Sequence, residues 1–524
     1  MAYFGRFSSE RGSRSCLILL ITLQAACGGG SDSERSPVAS TGNEAGTGGT
    51  TGSTGAERVV HDGGVGASAG ASGEANRATG GSANSARAEA GAAGFARNAS
   101  QQQQTGLHDY VQLAAGQRHA CAILVDGRVK CWGQNGGWLG LGDFEDRGDA
   151  PGEMGSALPA VALGQDWIMD RISTRDLSVC GLLHSGAIKC WGVNSVGELG
   201  LGDVLPRGGD PKTMGENLPQ VNLGQRGRVV EIQMGANHAC VRTEQGQILC
   251  WGRNDQGQLG LGDTRARGDE PNEMGDQLET VSLGTDRKAM QLALGWLHTC
   301  ALLDDHTIKC WGASSNGEVG LGDVEPIGDE PDETGEALPR LDFGTGQLVR
   351  AVYAGEQHNC VILEDRRIKC WGRNDYGQLG NGSRDPKGDS PMQMGDRLPY
   401  TDLGPGFSAK TLALGTHHSC ALSTSGLVKC WGSNAFGQLG LGTTQEHGAT
   451  PETMGAMLPV VDFGMGRRAL TITAGMDFTC ATLDDSNVVC WGDNRAGQLG
   501  IGSTQSRGTS PEHLGVGFLI TPLD

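Results

Sequence analysis

The sequence predicts an all-β protein, a seven-bladed β-propeller preceded by a signal peptide and a disordered Gly/Ala/Ser-rich tether. Three observations carry this reading. Two cysteines stand ten positions apart seven times over, the second followed by Trp-Gly, at a period of 60 residues and once 59. Each copy holds four short strand-like runs and no helical periodicity. The first and last copies are close to the rest, whereas a solenoid would need atypical capping repeats at its ends.

Residues 1–26 read as a lipoprotein-type export signal. Arg6, Arg11 and Arg14 precede a short apolar core at 17–23, too short to span a bilayer. The ending Gln24-Ala25-Ala26-Cys27, followed by GGGSD, resembles a bacterial lipoprotein site in which the cysteine is acylated. Gln24 stands where such signals usually carry Leu, and Leu23 lies one position further back. Of 16 cysteines, Cys16 leaves with the signal and Cys27 takes lipid, so every remaining cysteine belongs to a pair. Residues 27–105 have almost no large apolar side chains and are expected to be a disordered tether, with a span of roughly 50 Å. The expected location is the cell envelope, as an outer-membrane or cell-surface lipoprotein, with secretion as the alternative.

Residues 106–524 are repeats. In the third copy the four runs are 229–235, 238–243, 248–252 and 280–284. The cysteine pairs are Cys121/Cys131, Cys180/Cys190, Cys240/Cys250, Cys300/Cys310, Cys360/Cys370, Cys420/Cys430 and Cys480/Cys490. In the first copy two β-rich runs flank Asp126-Gly127, a hairpin signal that sets Cys121 opposite Cys131. Such neighbours lie within disulfide reach, and an exported chain meets oxidising conditions. Closing a loop of about 11 residues contributes slightly under 3 kcal/mol in the chain-entropy model. The spacing matches no common zinc pattern.

The formal net charge is −19, and no basic run follows the signal. Such a chain repels phosphate backbones, which excludes nucleic acid as a partner.

The pattern GxxHxCxL…GxxxCWGxNxxGQLGLGD, as in the stretches beginning at Gly235 and Gly415, resembles the regulator of chromosome condensation repeat family. That resemblance covers residues 107–524 and implies a seven-bladed propeller. The cysteines depart from the intracellular members, and the stretch RGDxPxxMGxxLP lengthens each unit by about ten residues. The family's guanine nucleotide exchange and chromatin binding are not carried over, because the compartment differs and the basic arm is missing. Light sensing, known in a plant relative, would need a tryptophan cluster, and only Gly295-Trp296-Leu297-His298 matches it.

The tryptophans after the second cysteines, such as Trp132 and Trp311, alternate in direction with those cysteines and read as packing between blades. His119, His238, His298, His358 and His418 recur two residues before the first cysteine, with Ser178 and Phe478 in the remaining copies. They are expected to be structural and bonded to backbone. The Gly257–Gly262 run echoes a nucleotide loop, but no helix follows it. Asp269, Glu270, Glu273 and Asp276 read as a solvated face without the calcium-loop pattern. Arg147-Gly148-Asp149 and Arg267-Gly268-Asp269 read as repeat drift, since other copies have Ile327 and Lys387 in the first place.

The two residues after each turn glycine vary while their flanks hold. They are Gln117-Arg118, Asp176-Leu177, Ala236-Asn237, Trp296-Leu297, Glu356-Gln357, Thr416-His417 and Met476-Asp477. Varied side chains on a fixed scaffold suit recognition. Arg118, Trp296, Leu297, Gln357, His417 and Asp477 are the candidate binding residues. Repeats one and two depart most, with Trp138, Trp167 and Arg175 outside the pattern. No catalytic constellation, metal set or cofactor motif is present in the sequence. The expected function is a non-catalytic, lipid-anchored binding module for a protein or surface glycan, monomeric, touching membrane through its N-terminal lipid only. A propeller-type inhibitor of a secreted enzyme is the alternative.

Overall fold

The computed structural model describes residues 111–165 and 167–524; the signal, Cys27 and the tether lie outside the described residues. Seven antiparallel sheets follow one another in chain order. In the third, an inner strand Val229–Met234 pairs with His238–Thr243, which pairs with Ile248–Gly252. The hairpin between the last two closes on Gly246, whose φ of +80° is left-handed and suits glycine.

That hairpin sets the register, and Cys240 falls directly opposite Cys250. The other blades repeat it. Cys121 is bonded to Cys131, Cys180 to Cys190 and Cys300 to Cys310. Cys360 is bonded to Cys370, Cys420 to Cys430 and Cys480 to Cys490. In all seven the sulfurs are 2.04–2.11 Å apart and the Cα atoms 4.0–4.1 Å apart. Each blade is therefore stapled across its own middle pair of strands.

The fourth run makes less sheet than its sequence suggests. In the third copy it is one bridge, Leu249 to Thr280, with Val281 N donating to Ile248 O at 3.0 Å. Among the described residues only Tyr400–Thr401, of the fifth copy, makes a short strand of it. The run's carbonyls are spent on the next blade instead. Ala162 O accepts from Gly215 N at 2.9 Å, and Leu163 O accepts from the buried Lys189 Nζ at 2.6 Å. Lys189 also donates to Gly215 O of its own blade at 3.0 Å, so one ammonium clamps two blades.

The apolar core is divided among the seams between blades. Between the second and third blades, Cys180, Leu182, Ile188 and Cys190 pack against Ile232, Met234, Val241 and Trp251. The disulfide of one blade thus faces the tryptophan of the next. In the same way Cys370 shares a cluster with Trp431, Cys430 with Trp491, and Cys490, across the closing seam, with Trp132. Trp251 Nε1 donates to Glu198 O of the preceding blade at 3.1 Å, and Trp311 to Gln258 O at 3.0 Å. A buried indole with its N–H satisfied gives apolar area without a polar penalty. Trp191 is the exception: Trp138 occupies the preceding turn, and the Trp191 N–H has no partner.

The long stretch that lengthens each repeat serves the same seams. Gly262 N donates to Gly328 O at 3.0 Å, and Gly275 N to Asn222 O at 2.9 Å, each bond crossing between adjacent blades. Arg147 turns inward to pair with Asp143 at 2.6 Å. The Arg147-Gly148-Asp149 tripeptide is thereby part of a strap.

Among the described residues, ring closure uses no shared strand. Trp132 Nε1 reaches Gln498 O at 3.0 Å. Gly502 N reaches Gly148 O, and Gly155 N reaches Pro522 O, both at 3.0 Å. The seventh blade meets the first through the same tryptophan and strap bonds as the other blades.

Candidate functional site: the channel mouth

Each inner strand ends at a turn, and the variable pair follows. The structure splits the pair. The first members, Gln117, Asp176, Ala236, Trp296, Glu356, Thr416 and Met476, all line one pocket at the end of the central channel. Their backbones are joined from blade to blade. Ala236 N donates to Trp296 O at 3.1 Å, Trp296 N to Glu356 O at 2.9 Å, and Thr416 N to Met476 O at 3.2 Å. Gln117 N to Asp176 O at 3.2 Å extends this collar. Beneath it, a cavity of about 270 Å³ runs between the inner strands, edged by Ser173, Gln233, Gln291 and Thr473.

The second members reach back toward turns instead. His417 stacks at 4.8 Å from the Tyr376 ring of the preceding blade, and burial pushes its pKa down to about 4. Asp477 accepts from Gln438 Nε2 at 3.2 Å, and burial, with Asp493 nearby, raises its carboxyl. Arg118 is a counter-charge to Asp477 across the closing seam. Gln357 accepts from Arg373 Nη1 at 2.6 Å. Leu297 is half-buried. Of the six residues singled out from sequence, Trp296 joins the mouth and the other five sit around it.

The paired cysteines take no part in the mouth. None of them lines the pocket or the cavity beneath it. Cys370, Cys430 and Cys490 are buried in the third strands of their blades, and their partners Cys360, Cys420 and Cys480 in the second. Their part is structural: they fix the blades that carry the loops.

Arg175 is the residue that changes the mouth most. It stands where other blades have the turn glycine. At Gly295 an added Cβ would lie 1.9 Å from His298 Cε1, so the histidine forbids a side chain there. The second blade has Ser178 in place of that histidine, which leaves room for one. There the strand ladder runs on to Arg175, which pairs with Ser178, and Asp176 takes φ +43°. The Arg175 guanidinium crosses the channel and donates to Ala354 O of the fifth blade at 2.8 Å. Glu356 lies in the same pocket, its pKa pushed up to about 7, chiefly by burial. Asp176 is raised too, by burial and then by Glu198.

The recurrent histidines are buried, but their partners correct the expectation of backbone bonding. His238 Nε2 lies 3.1 Å from Thr299 Oγ1, His298 Nε2 2.8 Å from Asn359 Oδ1, and His358 Nε2 2.9 Å from Ser419 Oγ. His418 Nε2 lies 2.9 Å from Thr479 Oγ1, and His119, facing Val179, uses Thr174 at 2.9 Å. These are side-chain bonds across seams, one to a blade, which explains why the histidines never gather. Among the described residues no group of three or more His, Cys, Asp or Glu is placed to hold a metal ion.

A closed ring of seven small sheets around a central channel defines a repeat β-propeller. Residues 182–520 match the model of the RCC1-like domain, and residues 110–136 match the regulator of chromosome condensation (RCC1) repeat. The chain belongs to the RCC1-like domain family. It is 28% identical over 402 residues to the ultraviolet-B receptor UVR8 of Arabidopsis thaliana, covering 75% of this chain and 79% of that one. It is 27% identical over 363 residues to protein pim1 of Schizosaccharomyces pombe, covering 65% of this chain and 62% of pim1. Among solved structures, yeast RCC1 (Prp20), crystallised with Kap60 bound, superposes with a TM-score of 0.55 at 17% identity, over 79% of this chain and 85% of that one. That likeness shows the fold.

Proposed function

We propose that this chain is a non-catalytic binding module of the cell envelope. In this reading residues 1–26 direct export, lipid on Cys27 anchors the chain, residues 27–105 act as the tether, and the propeller of residues 106–524 recognises a protein or surface glycan through its channel-mouth face. One observation carries it. The first members of all seven variable pairs line one pocket at the end of the channel, and the second members sit on the loops around it. A rigid scaffold with its variation confined to one place suits recognition. Seven near-equal blades also offer no single catalytic centre. The crystallised pairing of yeast RCC1 with Kap60 supports a protein partner in general.

The test is capture from an envelope extract with the full chain, then with a variant carrying Trp296→Ala, Gln357→Ala and His417→Ala. The expected result is a partner retained by the parent and lost by the variant. Equal capture would place recognition elsewhere. A captured enzyme that loses its activity would make the binding inhibitory. Mass spectrometry of the mature N-terminus tests the anchor, and an unmodified Cys27 thiol counts against it.

A further inference from the structure

We propose that the channel mouth is a socket for one lysine side chain of a partner protein, its ammonium held between Asp176 and Glu356 and its stem lying against Trp296. This rests on the reading of the mouth as the binding face and names what that face takes.

The repeat is broken here by two linked changes. Ser178 replaces the histidine, and only then can Arg175 replace the glycine. The outcome is a charged lining in a channel whose other mouth positions include Ala236, Thr416 and Met476. Charge decides which ligand fits. Asp176 and Glu356 supply two carboxylates, and Arg175 supplies one cation. Arg175 is bonded to the Ala354 carbonyl and so is held across the ring. With Glu198 acting on Asp176 and Arg373 acting on Glu356, three carboxylates face two guanidiniums, so the mouth is one positive charge short when Glu356 is ionised. An incoming cation completes the balance, and an incoming carboxylate would meet two like charges. Trp296 adds an aromatic face, which attracts ammonium groups in a partly desolvated site. The collar of backbone bonds fixes these groups relative to one another, so little order is lost on binding.

The groups that act on Glu356 are Arg175, Arg373 and Thr416, which favour its ionised form, and Asp176, which opposes it. Its pKa, pushed up to about 7, gives the socket a pH dependence of definite sign. Protonating Glu356 removes the excess negative charge, so affinity falls as pH drops from 8 to 6.

The test uses the full chain and three probes followed by saturation-transfer NMR at pH 8: Nα-acetyl-lysine methylamide, its Nε-acetylated form, and Nα-acetyl-glutamate methylamide. The lysine probe should bind with a dissociation constant on the order of 1 mM. Acetylation of its amine, Glu356→Gln, or a pH of 5.5 should each weaken it by about tenfold. Arg175→Gln should tighten it. Equal binding of the acetylated probe, stronger binding of the glutamate probe, or no binding of any probe overturns the socket. The pH titration of the unaltered chain keeps the test independent of how the variants fold. A partner captured equally by the parent and Glu356→Gln, yet lost when Trp296, Gln357 and His417 are replaced, removes the socket and leaves the face. Capture indifferent to all four residues removes both.

Discussion

Thr299 gives its hydroxyl proton to the Gln258 carbonyl at 3.0 Å, so His238, 3.1 Å from the same hydroxyl, must carry its own proton on Nε2. The same logic holds for His298. Its partner Asn359 presents Oδ1, which only accepts, while Nδ2 donates to Glu318 O at 2.9 Å. Each relay joins two adjacent blades at one buried point, running from the histidine to the next blade and back to a carbonyl of its own. Two blades do without it in a matched way: Phe478 precedes a blade with Ala120, and Ser178 precedes one with Ala239.

A double-mutant cycle tests that matching. Thr299→Ala strands a buried N–H and should cost about 1–3 kcal/mol in urea unfolding. His238→Phe alone loses the same bond. Together they recreate the apolar pair found at the closing seam, and the combined cost should fall short of the sum by about 1 kcal/mol or more. Strict additivity would mean that the two side chains do not interact.

Acid should loosen the ring. Burial lowers the pKa of His119 and His298 to about 4 and of His238 and His418 to about 3. Nδ1 of His358 and of His418 has no partner to stabilise a second proton. The unfolded chain binds protons at about 6.5, so this stability is complete above that pH and is lost as pH falls toward 3 to 4. Each histidine should contribute about 1 kcal/mol of loss per pH unit within the window. Thermal melting should be level from pH 7 to 8 and fall steeply below 6.5. The His238→Phe/Thr299→Ala variant should fall less steeply.

The coupling of Arg175 and Ser178 makes a third prediction. Ser178→His beside the native Arg175 forces an imidazole into occupied space and should cost more than about 2 kcal/mol. Adding Arg175→Gly should recover most of it. No recovery would show that something other than that contact keeps the second blade distinct.

Much of the fold is legible in the sequence. Two β-rich runs flanking Asp126-Gly127 give the hairpin, and the hairpin gives the Cys121/Cys131 register. The fourth run is not legible, because what limits it is the use of Leu163 and Ala162 carbonyls by another blade. No local pattern records a bond made to a residue of the next blade. The histidine partners were readable in principle: Thr299, Asn359, Ser419 and Thr479 each directly follow the next blade's own histidine or its replacement. Comparing copies in offset pairs would have found them. The mouth was half visible. Variability located the loop, but only the inter-blade backbone bonds show which member of each pair faces the channel.

Removing one staple should weaken the protein without undoing it. Cys300→Ala with Cys310→Ala should cost about 2–3 kcal/mol by urea unfolding. The remaining blades keep their own bonds, so the native near-ultraviolet circular dichroism should persist in water.

Every blade is completed within a single copy, and the joint between Pro522 and Gly155 is built like the joints the covalent chain happens to span. Which copy comes first among residues 111–524 is thus arbitrary for the ring they form. A circularly permuted propeller, with residues 111 and 524 joined by a short linker and new ends opened between any two copies, should close the same ring. The genetic unit and the mechanical unit coincide, so a duplication or deletion of one copy changes the circumference by one whole blade and leaves no half-made sheet behind.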